Sequence, residues 1–297
     1  MKIYANAPFL LCLATLGWAG NCIVGRLASG EISPMVVVFL RWSIVVPILL
    51  VLQRNKLVLA LPLIKSNIKW VLCMGAFGLT SFNALFYVAA NYTVAVNLGI
   101  MQGTMPAFIL ILASVFLKTK VTKVEILGLI VALTGVIIVI SKGNLSSLLN
   151  LESSIGDLFV LLAVFLYAGY TVGLKQSPNL DSMTLFTFFA IAAWISSVPL
   201  LFLEVVSGYS IWPNSSEWLL ILYVALIPSF MSQIFFMRGI ELIGPGKSGL
   251  YTNLVPVYAA IMGVIILGEP LMYYHLSSLF VVFLGIFIFM VVGKKFT

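Results

Sequence analysis

Charge is nearly absent from this sequence. Asp, Glu, Lys and Arg make up 8% of its 297 residues, against about a quarter in a water-soluble domain, and that deficit excludes a globule folded in water. One histidine and three cysteines offer no metal-ligand spacing. Cys12, Cys22 and Cys73 fall inside apolar runs and read as small packing residues. No GxxxxGK[ST] segment occurs, so the chain alone is not a nucleotide-driven pump. Carboxylates are missing from the middle of every apolar run, and without paired Asp, a Ser with a base or metal ligands an intramembrane enzyme lacks its chemistry. No cofactor or metal is expected.

Hydrophobicity fills the space that charge leaves: 62% of the residues are hydrophobic and the mean hydropathy is +1.17. Runs of about 20 apolar residues, each able to cross a hydrocarbon core of roughly 30 Å as a helix, recur at 8–28, 33–52, 68–90, 93–116, 124–140, 156–175, 182–203, 218–237, 245–267 and 274–292. The expected fold class is an all-α integral membrane protein of ten transmembrane helices. The net charge of +7 comes from basic residues in short loops, which argues for a lipid bilayer as partner and against nucleic acid.

The chain writes one stretch twice. Residues 98–117, LGIMQGTMPAFILILASVFL, align with 248–267, SGLYTNLVPVYAAIMGVIIL, at a constant offset of 150 that also pairs Asn83 with Gln233, Tyr87 with Met237 and Gly135 with Gly285. Nearby offsets pair Trp42, Val46 and Pro47 with Trp194, Val198 and Pro199, and Trp18-Ala19-Gly20 with Tyr167-Ala168-Gly169. The halves are residues 1–140 and 156–297, joined by a polar linker at 141–155. Lys2 ahead of an apolar core resembles a signal peptide, but cleavage would strip the first half of the span that the second half keeps at 156–175. An odd number of spans per half makes the two copies enter from opposite sides, an inverted repeat. With the N-terminus inside, thirteen Lys and Arg lie on the inner side and two, Arg26 and Lys142, on the outer. The positive-inside rule then places both termini in the cytoplasm.

Two five-span copies, Trp18-Ala19-Gly20-Asn21, Arg41, Pro106 with Leu117, and Pro256 with Leu267-Gly268-Glu269-Pro270 together resemble the EamA family of the drug/metabolite transporter superfamily, over nearly the whole chain. One departure is that Lys118 and Thr119 stand in the first copy where Gly268 and Glu269 stand in the second. The resemblance implies alternating-access transport of a small-molecule solute, often export of metabolites or amino acids, around a cavity lined by spans one, three, four, six, eight and nine. It implies a plasma membrane, the inner one in a bacterium. Drug efflux, an uptake carrier, and a receptor or scaffold that transports nothing are the competing readings.

The residues put forward for solute binding are Trp18, Asn21, Asn83, Tyr87, Met101, Gln102, Tyr167, Tyr170, Gln233, Tyr251 and Asn253, the aromatic and neutral polar groups nearest mid-span; interhelical hydrogen bonding is the competing role. Pro106 and Pro256 each free a carbonyl four residues earlier, on Gln102 and Thr252, and are the expected helix breaks. Asn97, Met101, Thr104 and Phe108 share a face that is expected to look across the axis at Lys247, Tyr251, Leu254 and Tyr258. Arg41 lies mid-span, where insertion costs about 2.5–3.5 kcal/mol; a structural tie is its first reading and a solute carboxylate its second. Gly99 with Gly103, and Gly169 with Gly173, are expected to pack spans together, and oligomeric state stays open. With acids such as Glu241 and Glu269 only at span ends, the solute is expected to follow its own gradient without proton coupling.

Overall fold

Apolar runs in lipid satisfy their backbone by coiling, and no strand occurs among the described residues. The structure is a computed structural model that describes residues 6–118, 121–144, 155–243, 248 and 251–288. Its helices are α1 (Ala7–Leu27), α2 (Pro34–Ser66), α3 (Ile68–Ala90), α4 (Ala95–Phe116), α5 (Lys123–Ile140), α6 (Ile155–Gly173), α7 (Ser182–Val206), α8 (Trp218–Ile243), α9 (Leu254–Leu267) and α10 (Tyr273–Phe287). By length and composition α1 to α8 can each cross a membrane, and α9 and α10 are shorter apolar helices. The chain is a multi-pass membrane protein. The expected start of the ninth span at 245, the end of the tenth at 292, Lys120, Lys247, Gly249 and linker positions 145–154 lie outside the described residues.

The second span is a correction. It was expected to end at 52 and yield to a basic loop, yet α2 runs unbroken to Ser66, so Arg54, Lys56 and Lys65 ride on helix. Thirty-three residues extend roughly 50 Å as a helix, well beyond a hydrocarbon core. The extension holds because Leu57, Ala60 and Ile64 recur on one buried face, and because Lys56 reaches Asp181 at 3.5 Å at the start of α7.

Burial is distributed as lipid requires. Val51, Leu59, Phe202, Ile265 and Phe280 are exposed while Asn21, Arg41, Asn83, Asn97 and Asp157 are buried, the reverse of a water-soluble protein.

Four helices are irregular, in matched pairs. A π-helical segment interrupts α3 at Met74–Ser81 and α8 at Ala225–Met231, which correspond within one residue at the offset of 150. The helix of α4 breaks at Gly103 and Thr104, between Ala95–Gln102 and Met105–Phe116. Thr252 and Asn253 form the corresponding turn ahead of α9.

Packing also comes in exchanged pairs. The helix α1 packs on α8 and α9, and its counterpart α6 packs on α3 and α4; α2 pairs with its counterpart α7, α4 with α9 and α5 with α10. The glycines give this pattern atomic detail. A Cβ on Gly135 would strike Ser278 and Val282 of α10, and one on Gly285 would strike Gly128 and Ala132 of α5, the same contact with the halves exchanged. Gly99 faces Pro256 and Ala259, and Gly103 faces Pro256 and Val282, as close packing through small residues requires. Gly173 abuts Met74, whereas Gly169 has only Leu112 at 3.8 Å.

Two carboxylates fasten helix starts at one end of the bundle. Glu269 accepts from the backbone N–H groups of Ala95 at 2.8 Å and Val96 at 3.0 Å, capping α4. Glu204 does the same for α2 through Met35 and Val36, at 3.2 Å and 3.1 Å. Unpaired N–H groups and the positive end of the helix dipole favour an acid there.

Candidate functional site

Side chains from α1, α2, α3 and α8 converge on Arg41. Its Nε donates to Ser229 Oγ at 2.9 Å and its Nη2 donates to the same oxygen at 2.5 Å. Its Nη1 donates to Tyr87 Oη at 2.9 Å and to Asn83 Oδ1. The guanidinium also lies over the rings of Trp42 and Tyr87, with centroids at 5.6 Å and 5.7 Å, where ring faces attract a cation. Arg41 is 4% exposed, and no carboxylate among the described residues forms an ion pair with it.

Each acceptor is held in place by a bond of its own. Tyr87 Oη donates to Asn21 Oδ1 at 2.7 Å, Asn83 Nδ2 donates to the Leu79 carbonyl at 2.6 Å, and Ser229 Oγ donates to the Val224 carbonyl. Leu79 lies in the π segment of α3, and Ser229 in that of α8. A π turn inserts a residue and re-aims its neighbours; at α8 the carbonyl of Val224 meets a hydroxyl five residues on. The irregular segments therefore position the ring of oxygens around the cation.

Trp18 belongs to the adjoining shell. Its indole Nε1 donates to the Pro228 carbonyl at 3.1 Å, beside Ser229, and its ring packs on Phe236 at 5.0 Å. Gln102 donates from Nε2 to Cys22 Sγ at 3.2 Å and to the Leu98 carbonyl at 3.2 Å, so it sits between α4 and α1. A shallow surface depression with no room for a water molecule lies beside Tyr87, Gly25, Asn91, Ser29 and Val37, at the end of the bundle where α1 and α3 terminate.

Tyr167 and Tyr170 form a separate aromatic group. Their rings lie 5.3 Å apart, Tyr167 packs on Phe82 at 5.0 Å, Tyr170 packs on Phe189 at 5.6 Å, and Tyr170 presses on Gly78 in the α3 π segment. Met101 is fully buried, Asn253 is buried in the turn before α9, and Gln233 and Tyr251 are half-buried. Pro106 stands in the first turn of the second half of α4, where a missing N–H costs nothing. Pro256 stands in the first turn of α9.

One expected juxtaposition is corrected. The face of Asn97, Met101, Thr104 and Phe108 does not look at α9. Asn97 Nδ2 donates to Asp157 Oδ1 at 3.4 Å and Phe108 packs on Phe165 at 5.7 Å, both on α6. The face that meets α9 carries Gly99 and Gly103, because only small residues let helices so close to broken segments touch.

Two residues escape a reading by composition alone. Ser229 looks like a tolerated hydroxyl in an apolar run, and only its place after Pro228 marks it. Asp157 reads as an acid at a span end, yet it is 1% exposed and accepts from Thr93 Oγ1 at 2.6 Å. Among the described residues no group of three or more His, Cys, Asp or Glu is placed to hold a metal.

Comparison with known proteins agrees with this architecture. "Uncharacterized transporter YyaM" of Bacillus subtilis is 29% identical over 230 residues, 75% of this chain and 73% of its own length. An "Uncharacterized transporter" of Archaeoglobus fulgidus is 26% identical over 270 residues, 89% and 90% of the two chains. "Uncharacterized inner membrane transporter YedA" of Escherichia coli K12 is 25% identical over 283 residues, 93% and 86% of the two. A solved crystal structure superposes with a TM-score of 0.65 at 14% identity, covering 97% of this chain and 98% of that one, and so shares the fold. Residues 6–141 and 154–291 each match the EamA-like transporter family, and with nearly all of its length so matched this chain belongs to that family.

Proposed function

We propose that the chain is a secondary carrier that exports a small amphipathic metabolite, such as an amino acid, by alternating access across the plasma membrane, the inner membrane if the source is bacterial. In this reading it is built of ten spans as two inverted repeats, 1–140 and 156–297, joined by 141–155, with both termini cytoplasmic. The observation that carries it is the matching of irregularities: π segments in α3 and α8, and breaks ahead of Pro106 and Pro256, fall within one residue of the offset of 150. Interrupted helices at equivalent places in two copies are where carriers bind solute and bend. The exchanged contacts of α1 with α8 and α6 with α3 support the two-fold relation. In this reading Trp18, Gln102, Tyr167 and Tyr170 supply neutral hydrogen-bonders and ring faces for such a solute, and Asn21, Asn83 and Tyr87 act through the hydrogen bonds that hold Arg41.

The test is counterflow of radiolabelled amino acids in proteoliposomes. Wild type exchanges at least one of them, and Pro106→Ala or Pro256→Ala lowers that flux several-fold while melting in detergent stays near wild type. Absence of exchange for all twenty amino acids removes the substrate class, and unchanged flux in the double variant removes the role of the breaks.

A further inference from the structure

A buried guanidinium with only neutral partners is an incomplete ion pair. Burying a charge without a counter-charge costs several kcal/mol even after relaxation, and hydrogen bonds to hydroxyl and amide oxygens offset only part of that. The geometry at Arg41 shows what is missing. The edge formed by Nε and Nη2 has the two parallel N–H groups that pair with the two oxygens of a carboxylate. In this structure one oxygen, Ser229 Oγ, takes both bonds at 2.9 Å and 2.5 Å, and its own hydrogen is turned away to the Val224 carbonyl. The opposite side of the guanidinium is fully engaged by Asn83 and Tyr87. Of five N–H groups, one on Nη2 has no bond among the described residues. The cation is therefore clamped from behind, lies 5.6 Å and 5.7 Å from the ring centroids of Trp42 and Tyr87, and presents its two-pronged edge to a single neutral hydroxyl in a helix segment that is already irregular.

We infer that the Nε/Nη2 edge of Arg41 is the binding site for the carboxylate of the transported solute, with Ser229 Oγ holding that edge when the site is empty. The inference rests on the carrier reading and deepens it: the solute must carry a free carboxylate. A carboxylate there displaces Ser229 Oγ, gives each of the two N–H groups its own oxygen and neutralises the buried charge. Asn83, Tyr87 and Asn21 are positioning residues, because they orient the guanidinium from its far side.

Thermal melting of the purified full chain in detergent tests this with matched probes: each of the twenty amino acids, its amide and its methyl ester. At least one free amino acid raises the melting temperature, and its amide and ester bind at least about ten-fold more weakly, since each loses one charged hydrogen-bonded pair. Ser229→Ala leaves the edge bare, so this variant melts lower than wild type in buffer and recovers on adding the same amino acid. Arg41→Lys, which keeps the charge without the fork, weakens the amino acid at least about ten-fold while leaving its amide unchanged. Amides and esters that bind as well as acids, no free carboxylate that binds, or a Ser229→Ala variant that no carboxylate rescues would each overturn the assignment. Counterflow separates the two readings: flux of uncharged or esterified solutes leaves the carrier standing and removes the Arg41 site, whereas carboxylate binding without any flux does the reverse.

Discussion

Asp157 shows at single-residue scale how burial decides what an acid does. Its place in the first turn of α6 suits the helix dipole, but it is the Thr93 hydroxyl and the Asn97 amide, both from the α3–α4 corner, that meet its carboxylate. The acid thus ties the second half of the chain to the first. Removing it leaves the Thr93 hydroxyl without its buried acceptor and Asn97 with only Thr93 Oγ1 at 3.1 Å, which costs about 1–3 kcal/mol. Asp157→Ala is expected to lower the melting temperature in detergent accordingly, and Asp157→Asn, which keeps an acceptor oxygen, to restore more than half of the loss. Equal melting of the alanine variant and wild type would show that the tie contributes nothing. The sequence marks Arg41 openly, since a mid-span charge has no other explanation than a partner. It gives no such open mark for Ser229, a hydroxyl within an apolar run, or for Asp157, an acid at a span end, because hydrophobic patterning does not say which polar groups turn inward.

At the scale of elements, the end of the ninth helix and the end of the fourth answer the same geometric demand with different residues. Gly268 closes α9 at φ +65° and Lys118 stands at the equivalent position after α4 at φ +54°. The departure of Lys118 from the glycine of the second copy is therefore chemical, and the backbone turn survives it. Left-handed backbone costs a residue with a side chain about 1–2 kcal/mol, and a Cβ at Gly268 would meet nothing within 4 Å, so the cost there is conformational alone. Gly268→Ala is expected to destabilise by about 1–2 kcal/mol and Lys118→Gly to stabilise by up to about 1 kcal/mol, both read from detergent melting. A Gly268→Ala variant that melts no lower than wild type, or a Lys118→Gly variant that melts lower, would show that the two turns are not equivalent. Turns of this kind are legible through their glycines, and so are breaks through their prolines. The π segments at Met74–Ser81 and Ala225–Met231 are not, since a change from four-residue to five-residue hydrogen bonding leaves no pattern in side-chain type. Nor is the continuation of α2 through its basic residues, where charge reads as loop although the backbone stays helical.

For the whole molecule, the contact pattern and the charge distribution address separate questions. Exchanged packing of α1 on α8 and α6 on α3 relates the halves to each other but says nothing of which end faces the cytoplasm. The asymmetry of Lys and Arg, thirteen to two, supports the proposed orientation with both termini inside, because basic segments resist translocation. The helix directions place Lys65, at the far end of α2, on the same side as Lys175, which follows α6, and Lys142, which follows α5, on the other. All three are exposed, so a cysteine at each reports its side without disturbing packing. In a background lacking Cys12, Cys22 and Cys73, impermeant maleimide added to intact cells is expected to label a cysteine at 142 and to spare those at 65 and 175, which react only after permeabilisation. Labelling of 65 and 175 in intact cells with protection of 142 would reverse the orientation. It would also place the ends of α1 and α3, with Ser29 and Asn91, on the cytoplasmic side, so this experiment fixes which face of the membrane that end of the bundle meets.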